Sequence, residues 1–383
     1  MKRMTSLAAI ACIILSSCGN PGNGSSTLRM LVGTYTKTDS QGVYLYEFNQ
    51  DDATFTLLDT AKAGSPSFIV PSEDGRFAYS VSEFNDGSEG ACSYKLGDGS
   101  IDVLNFQSSN PALPCAPQAV NGANIPLGQT PGGAPCNIVV ANGQVITSNY
   151  MGGTLSVFPI EEDGSLGPMS GMFIPKNDEG IISHIHCATV SPDGRYLFVN
   201  DLGADIIYRF RLGAGGVDLS DPQEAFRFDR DAHPGPRHMV FSRDGRFAYL
   251  LGETGDNLTV FSYSDGVLTR ISSRTAYDGE GHGSADIHLG PDGKFLYTSH
   301  RLKKEGISVF KVDGKSGDVE EAGFFPTGGH PRNFAITPNG KYLLCACRHS
   351  NAIEVYSIDG RNGGINKTGT AIAVPEPVCI QLF

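Results

Sequence analysis

Nine side chains of this 383-residue sequence could do chemistry if the fold gathered them: Arg237, Arg301, Arg332, Arg348, Asp201, Glu253, His186, His238 and Tyr150. Guanidinium groups hold carboxylate or phosphate through a rigid fork of donors. A carboxylate or imidazole beside them can move a proton, and long charged side chains are seldom buried unless paired or functional. An Arg-dominated set of mixed sign therefore suits a small anionic ligand. The competing reading is that these charges only pair with one another across neighbouring elements.

The elements that must position them are set by a recurring phrase. A turn dipeptide lies between two apolar runs in SEDGRFAY, SPDGRYLF, SRDGRFAY, GPDGKFLY and TPNGKYLL, with a weaker copy, VANGQVIT. The six turn glycines, Gly75, Gly143, Gly194, Gly245, Gly293 and Gly340, are 68, 51, 51, 48 and 47 residues apart. Asp-Gly and Asn-Gly favour two-residue hairpins in which both central residues take positive φ. A hairpin returning every ~50 residues signals a repeat array. Each repeat reads as four antiparallel strands, which is a propeller blade. The first apolar runs, MLVGTYT, GVYLYEF and FTLLDTA, lack an innermost strand, and VCIQLF at the C-terminus is an orphan. Pairing the two closes a ring of seven blades and removes exposed sheet edges. The expected fold is therefore all-β, a seven-bladed β-propeller over residues 28–383.

Register places the chemistry. Seven residues before each turn Asp or Asn begins an innermost strand, with Ser67, His186, Arg237, Ala285 and Arg332 there and Cys136 one residue off. Seven or eight residues after each turn Gly ends the second strand, with Glu83, Tyr150, Asp201, Glu253, Arg301 and Arg348. Both sets lie at the end of the hairpins away from the turns, about 23–26 Å off at ~3.3 Å per residue. In a propeller that end surrounds the mouth of the central channel.

The net charge of −12 argues against a nucleic-acid partner. Lys2 and Arg3 followed by the apolar run LAAIACIIL read as an export signal over residues 1–17, too short to span a bilayer. Leu15-Ser16-Ser17-Cys18 resembles a bacterial lipobox, which implies lipidation of Cys18, a tether over 18–27 and a lipid-anchored protein facing the periplasm. The membrane would be met only through that anchor, and a monomer is expected. Seven further cysteines match no disulfide framework. Cys345 and Cys347 share a strand face and read as small buried hydrophobes, since no second pair supports zinc. A Pro-, Asn- and Gly-rich insertion, 107–133, is a rim loop.

Several phrases carry a resemblance: VGTYT, GGAPCNIVV with SNYMGGTLSVF, NDLGADIIYRF, GPRHMVFSRDG and HPRNFAITPNGKYLL. They are similar to the seven-bladed lactonase family, which includes the propeller type of 6-phosphogluconolactonase and the carboxymuconate cycloisomerases. The resemblance implies a seven-bladed propeller and hydrolysis of a sugar lactone to its aldonic acid, with no cofactor or metal. It implies His186, Arg237, Glu253 and Arg301 as catalytic, the same four that register selects. Arg237 and Arg301 would hold the oxyanion, and His186 or Glu253 would be the base, with His186 preferred for its ordinary pKa of ~6.5. Asp201 and His238 would orient, and with Arg332, Arg348 and Tyr150 contact substrate. No G-x-S-x-G elbow is present, which favours direct attack by water. The family's His-Pro-His phrase is here His184-Ile185-His186, and Arg348 stands where relatives carry an uncharged polar residue. Two other readings stay open: a cycloisomerase acting on a muconate-type acid, and a non-catalytic envelope propeller that binds a ligand.

Overall fold

A computed structural model describes residues 25–110, 130–229 and 232–383. Cys18, the export signal, most of the tether and the centre of the 107–133 insertion lie outside them. The described chain forms seven four-stranded antiparallel sheets. Six take their strands in chain order. In the seventh the C-terminal strand Pro377–Leu382 lies inside Thr27–Thr34, with Val32 opposite Ile380 and Leu31 opposite Gln381. Closure thus runs as the orphan strand predicts, and blade 1 joins the two ends of the chain.

The core is divided among the blade interfaces. Met30, Val32 and Ile380 of blade 1 pack on Leu344, Ile353 and Val355 of blade 7, and similar clusters repeat around the ring. Each blade has one sheet face on each neighbour, so burial is two-sided for inner strands and fades outward. Phe77–Ser82 is almost wholly buried, whereas Gly216–Arg227, the outermost strand of blade 4, is mostly exposed.

The turns differ from the two-residue form. Gly75 is at φ +66°, but its amide donates to Ser72 O at 2.9 Å and the Ser72 amide to Phe77 O at 2.8 Å, so four residues are looped out. Asp74 accepts from the Ser72 hydroxyl (2.7 Å) and the Arg76 amide (3.1 Å). Ser191/Asp193, Ser242/Asp244 and Thr337/Asn339 repeat this arrangement. A side-chain oxygen, of a carboxylate in the Asp copies and of an amide in Asn339, rather than a second positive φ, is what this position supplies. Only the weak copy, Asn142-Gly143, has both residues at positive φ.

Candidate active site

The innermost strands start with an irregularity that the sequence pattern does not announce. Pairing shifts across Cys136, His186, Arg237 and Arg332, each the second residue of its strand, and between Ser284 and Ile287 in blade 6. A bulge leaves one residue out of the ladder and re-aims its side chain. His186, Arg237 and Arg332 are such residues, and the partners they meet stand just past the ends of second strands.

Glu253 is the hub. Arg237 Nε donates to Glu253 Oε2 at 2.6 Å, and Arg301 Nη2 reaches Oε1 at 3.0 Å. His186 Nε2 lies 4.0 Å from Oε2. Backbone carbonyls lock both guanidinium groups, Arg237 Nη1 onto Ala285 O and Arg301 Nε onto Gly283 O (3.0 Å). The Arg237 side chain is 1% exposed and the Glu253 side chain 21%, so the carboxylate is the member that faces the opening.

The electrostatics follow from this packing. Burial would raise the Glu253 pKa, but Arg237, Arg301 and Arg332 outweigh it and hold the group below the usual value. Burial, and then the charges of Arg237, His238, Arg332 and Arg301, push His186 well below the ordinary imidazole value. His186 is therefore a neutral imidazole, and the expectation that its pKa sits near neutrality is corrected. Burial beside Arg237 brings Arg301 down to about 10, still cationic at neutral pH.

A second charged group adjoins the first. Glu83 accepts from the Tyr35 hydroxyl (2.9 and 3.1 Å) and from the Ser67 hydroxyl, and Arg332 Nη2 is 3.7 Å away. The Arg332 and Arg348 guanidiniums lie 5.6 and 4.6 Å from the Tyr35 ring centre. Arg348 pairs with Glu376 at 2.9 Å. Tyr150 stacks on His184 (4.5 Å between centres) and meets His186 edge-on at 5.7 Å. The Tyr150 ring thus contacts both His184 and His186.

The predicted residues divide accordingly. His186, Arg237, Glu253 and Arg301 are together, with Tyr150 and Arg332 against them and Arg348 one step outward. His238 lies beneath, its ring 5.2 Å from that of His186, and its Nδ1 is held by Asp286 Oδ1 at 2.8 Å. Burial and Arg237 bring His238 to about 4, so it is neutral beside that carboxylate. Asp201 does not join them. Its oxygens take the Ser183 hydroxyl (2.5 Å) and the His184 and Ala204 amides (2.9 and 3.1 Å) and close the local turn instead. Sequence reasoning missed Tyr35, Glu376 and Asp286. Tyr35 and Glu376 flank the strands that close the ring, and Asp286 is a buried acid within an innermost strand. A groove of about 930 Å³ between blades 3 and 4, walled by Met172, Phe173, Tyr208 and Leu219, carries no comparable cluster.

Comparison with known proteins agrees with the seven-bladed fold. The family model described as lactonase, 7-bladed beta-propeller, matches residues 29–382. A 6-phosphogluconolactonase of Formosa agariphila is 30% identical over 369 residues, covering 92% of this chain and 99% of the relative. A Bacteroides uniformis crystal structure, provisionally named a 6-phosphogluconolactonase, is 41% identical with a TM-score of 0.83, covering 94% of this chain and all of that one. The periplasmic gluconolactonase of Pseudomonas aeruginosa is 26% identical with a TM-score of 0.80, covering 93% and 99%.

Proposed function

Because the chain belongs to the seven-bladed β-propeller lactonase family, we propose that it hydrolyses a sugar lactone to its aldonic acid at the Glu253 cluster. The observation that carries this reading is Glu253 clamped between Arg237 and Arg301 with neutral His186 4.0 Å away. Water adds to the lactone carbonyl carbon as a base takes its proton. The tetrahedral oxyanion collapses, the ring C–O bond breaks, and the leaving alkoxide takes the proton back. Arg237 and Arg301 supply donors already fixed by backbone carbonyls, so little reorganisation accompanies charge development. His186 is the base. The arginines that depress it in the resting site are those the oxyanion would neutralise, so charge development at the carbonyl and proton uptake by His186 reinforce each other.

The substrate we favour is an unphosphorylated sugar lactone. Each mouth arginine already faces a carboxylate: Arg237 and Arg301 share Glu253, Arg332 has Glu83, and Arg348 has Glu376. A phosphate dianion would have to recruit Lys37, whose Nζ lies 5.6 Å from the Tyr35 ring centre. The export signal and the Cys18 lipobox support the same choice, because a lipid-anchored periplasmic protein meets sugar lactones rather than cytoplasmic sugar phosphates.

The test is a panel of gluconolactone, a uronate-derived lactone, a muconolactone and the 6-phosphorylated lactone, followed by acid release. Arg237→Ala and Glu253→Gln proteins of native circular dichroism serve as controls. Wild-type turnover in both would remove the site, and turnover confined to muconolactone would replace hydrolysis by isomerisation.

A further inference from the structure

One side-chain cluster on the same rim belongs to neither charged group. Among the described residues, Glu305, His330 and His349 bring a carboxylate oxygen and two imidazole nitrogens within 4.8 Å of one another. Glu305 stands in the turn between the second and third strands of blade 6. His330 immediately precedes the innermost strand Pro331–Ile336 of blade 7, and His349 follows its second strand, Tyr342–Cys347.

Part of this is common to the repeat. In three successive blades an acid of that turn accepts an amide from the start of the next blade: Asp205 from Gly235 (2.9 Å), Asp256 from His282 (3.0 Å) and Glu305 from His330 (2.8 Å). A histidine accompanies each acid. His233 and His282 turn outward, their side chains 70% exposed. His330 departs from that pattern. It is only 8% exposed, and its Nδ1 is buried without a hydrogen-bond partner. A second histidine, His349, lies over it with ring centres 4.4 Å apart. A buried imidazole nitrogen left without a partner needs one, and the latch alone requires neither the burial nor the second ring.

We propose that Glu305, His330 and His349 form a binding site for a divalent late transition metal, zinc foremost, that ties blade 6 to blade 7 at the channel rim. Two imidazoles and one carboxylate are a ligand set of zinc sites that keep a fourth position open. Bonds of 2.0–2.1 Å require donors about 3.3 Å apart, and rotation of exposed His349 supplies the approach. Of the nearby cations, Arg332 has Glu83 and Arg348 has Glu376, while Arg301 shares Glu253 with Arg237, so those three carboxylates are already engaged. Glu305 is thus the carboxylate left to balance the ion. His330 and His349 neighbour Arg332 and Arg348 in sequence, so the ion would stiffen the wall of the mouth rather than meet the carbonyl.

The test uses the full chain without a histidine tag, stripped with chelator and titrated with Zn²⁺ alone by calorimetry, and with Co²⁺ by visible absorption. One equivalent of zinc, a tetrahedral-type Co²⁺ band and a zinc-dependent rise in Tm are expected. His349→Ala, at an exposed position, should fold normally and lose all three. Glu305→Gln should weaken binding by more than the ~10–100-fold typical of losing an outer-shell partner. Substoichiometric zinc, or binding that persists unchanged in both variants, overturns the site.

Discussion

Arg301→Met is the most discriminating substitution, because it perturbs both candidate bases in one direction. Arg301 touches Glu253 at 3.0 Å, and its charge is among those that lower His186 as well as Glu253. Removing it must raise both pKa values. A base works only when deprotonated, so the acid limb of kcat/KM must move to higher pH whichever group is the base. An adjacent guanidinium lowers a carboxylate by about 1–3 units, each worth about 1.36 kcal/mol. Arg237 stays in place at 2.6 Å, so the lower end applies, a shift of about 1 pH unit. Loss of one oxyanion donor should also cut the plateau rate about 10²–10³-fold. Arg301→Lys retains the charge without the fork, so its rate should fall while its limb stays put. Gluconolactone turnover would be followed by residual substrate at each pH, corrected for spontaneous opening, with Tm confirming the fold. An Arg301→Met limb that coincides with wild type would refute the placement of the base in this cluster.

Wild-type kcat/KM should show no inflection near pH 6.5, since His186 is depressed well below that value; a limb at or above 6.5 would exclude it as the base. Asp286→Asn removes the negative charge and turns into a donor one of the two oxygens that accept from His238 Nδ1 (2.8 Å, Oδ1), His288 Nε2 (2.9 Å, Oδ2) and Asn333 Nδ2 (2.5 Å, Oδ2). Urea unfolding at neutral pH should show a loss of about 3–5 kcal/mol, as for breaking a buried pair. Asp286 is held far below the usual carboxylate range, chiefly by its histidine partners against the opposing pull of burial. Its contribution is present above the unfolded pKa of ~3.9 and fades as pH falls below that value. The raised His288 contributes below its unfolded pKa and is lost as pH rises through its folded one, so the gap should narrow at both ends. Gly194→Ala, at φ +69° with nothing within 4 Å of the added methyl, should cost about 1–2 kcal/mol of backbone strain alone. Gly245→Ala, whose methyl meets Pro192 at 3.0 Å, should cost more by the same urea unfolding.

How much of this was legible in the sequence depends on whether a residue obeys the repeat or departs from it. Blade number, closure by Pro377–Leu382 and the position of the mouth follow from spacing, because a turn glycine at positive φ recurs at a fixed offset from each strand. Turn type did not follow, since Asp74 and its counterparts act through a side-chain oxygen that a dipeptide preference does not describe. The Glu253 cluster was visible as residue types at one register position, but which of them face inward was not. Asp201 stands one residue short of the register of Glu253 and Arg301: it pairs with Ile185 as Gly252 pairs with Pro236, and Leu202 takes the Glu253 position, so its side chain faces the other way and its carboxylate is taken up by Ser183 and two amides. Arg237 and Arg301 instead carry long stems that reach a neighbouring blade, Arg237 to Ala285 O and Arg301 to Glu253, and the bulge at Arg237 re-aims its side chain. His330 differs from His233 and His282 in the same way: it takes the register place that Gly235 and Gly283 hold in the two preceding blades, immediately before its strand, and it alone of the three is turned inward against a second imidazole. In a repeat protein the shared pattern specifies the scaffold, so a side chain that breaks its own register's habit has to be explained by the contact it gains, and at this mouth those contacts are other charged or imidazole groups.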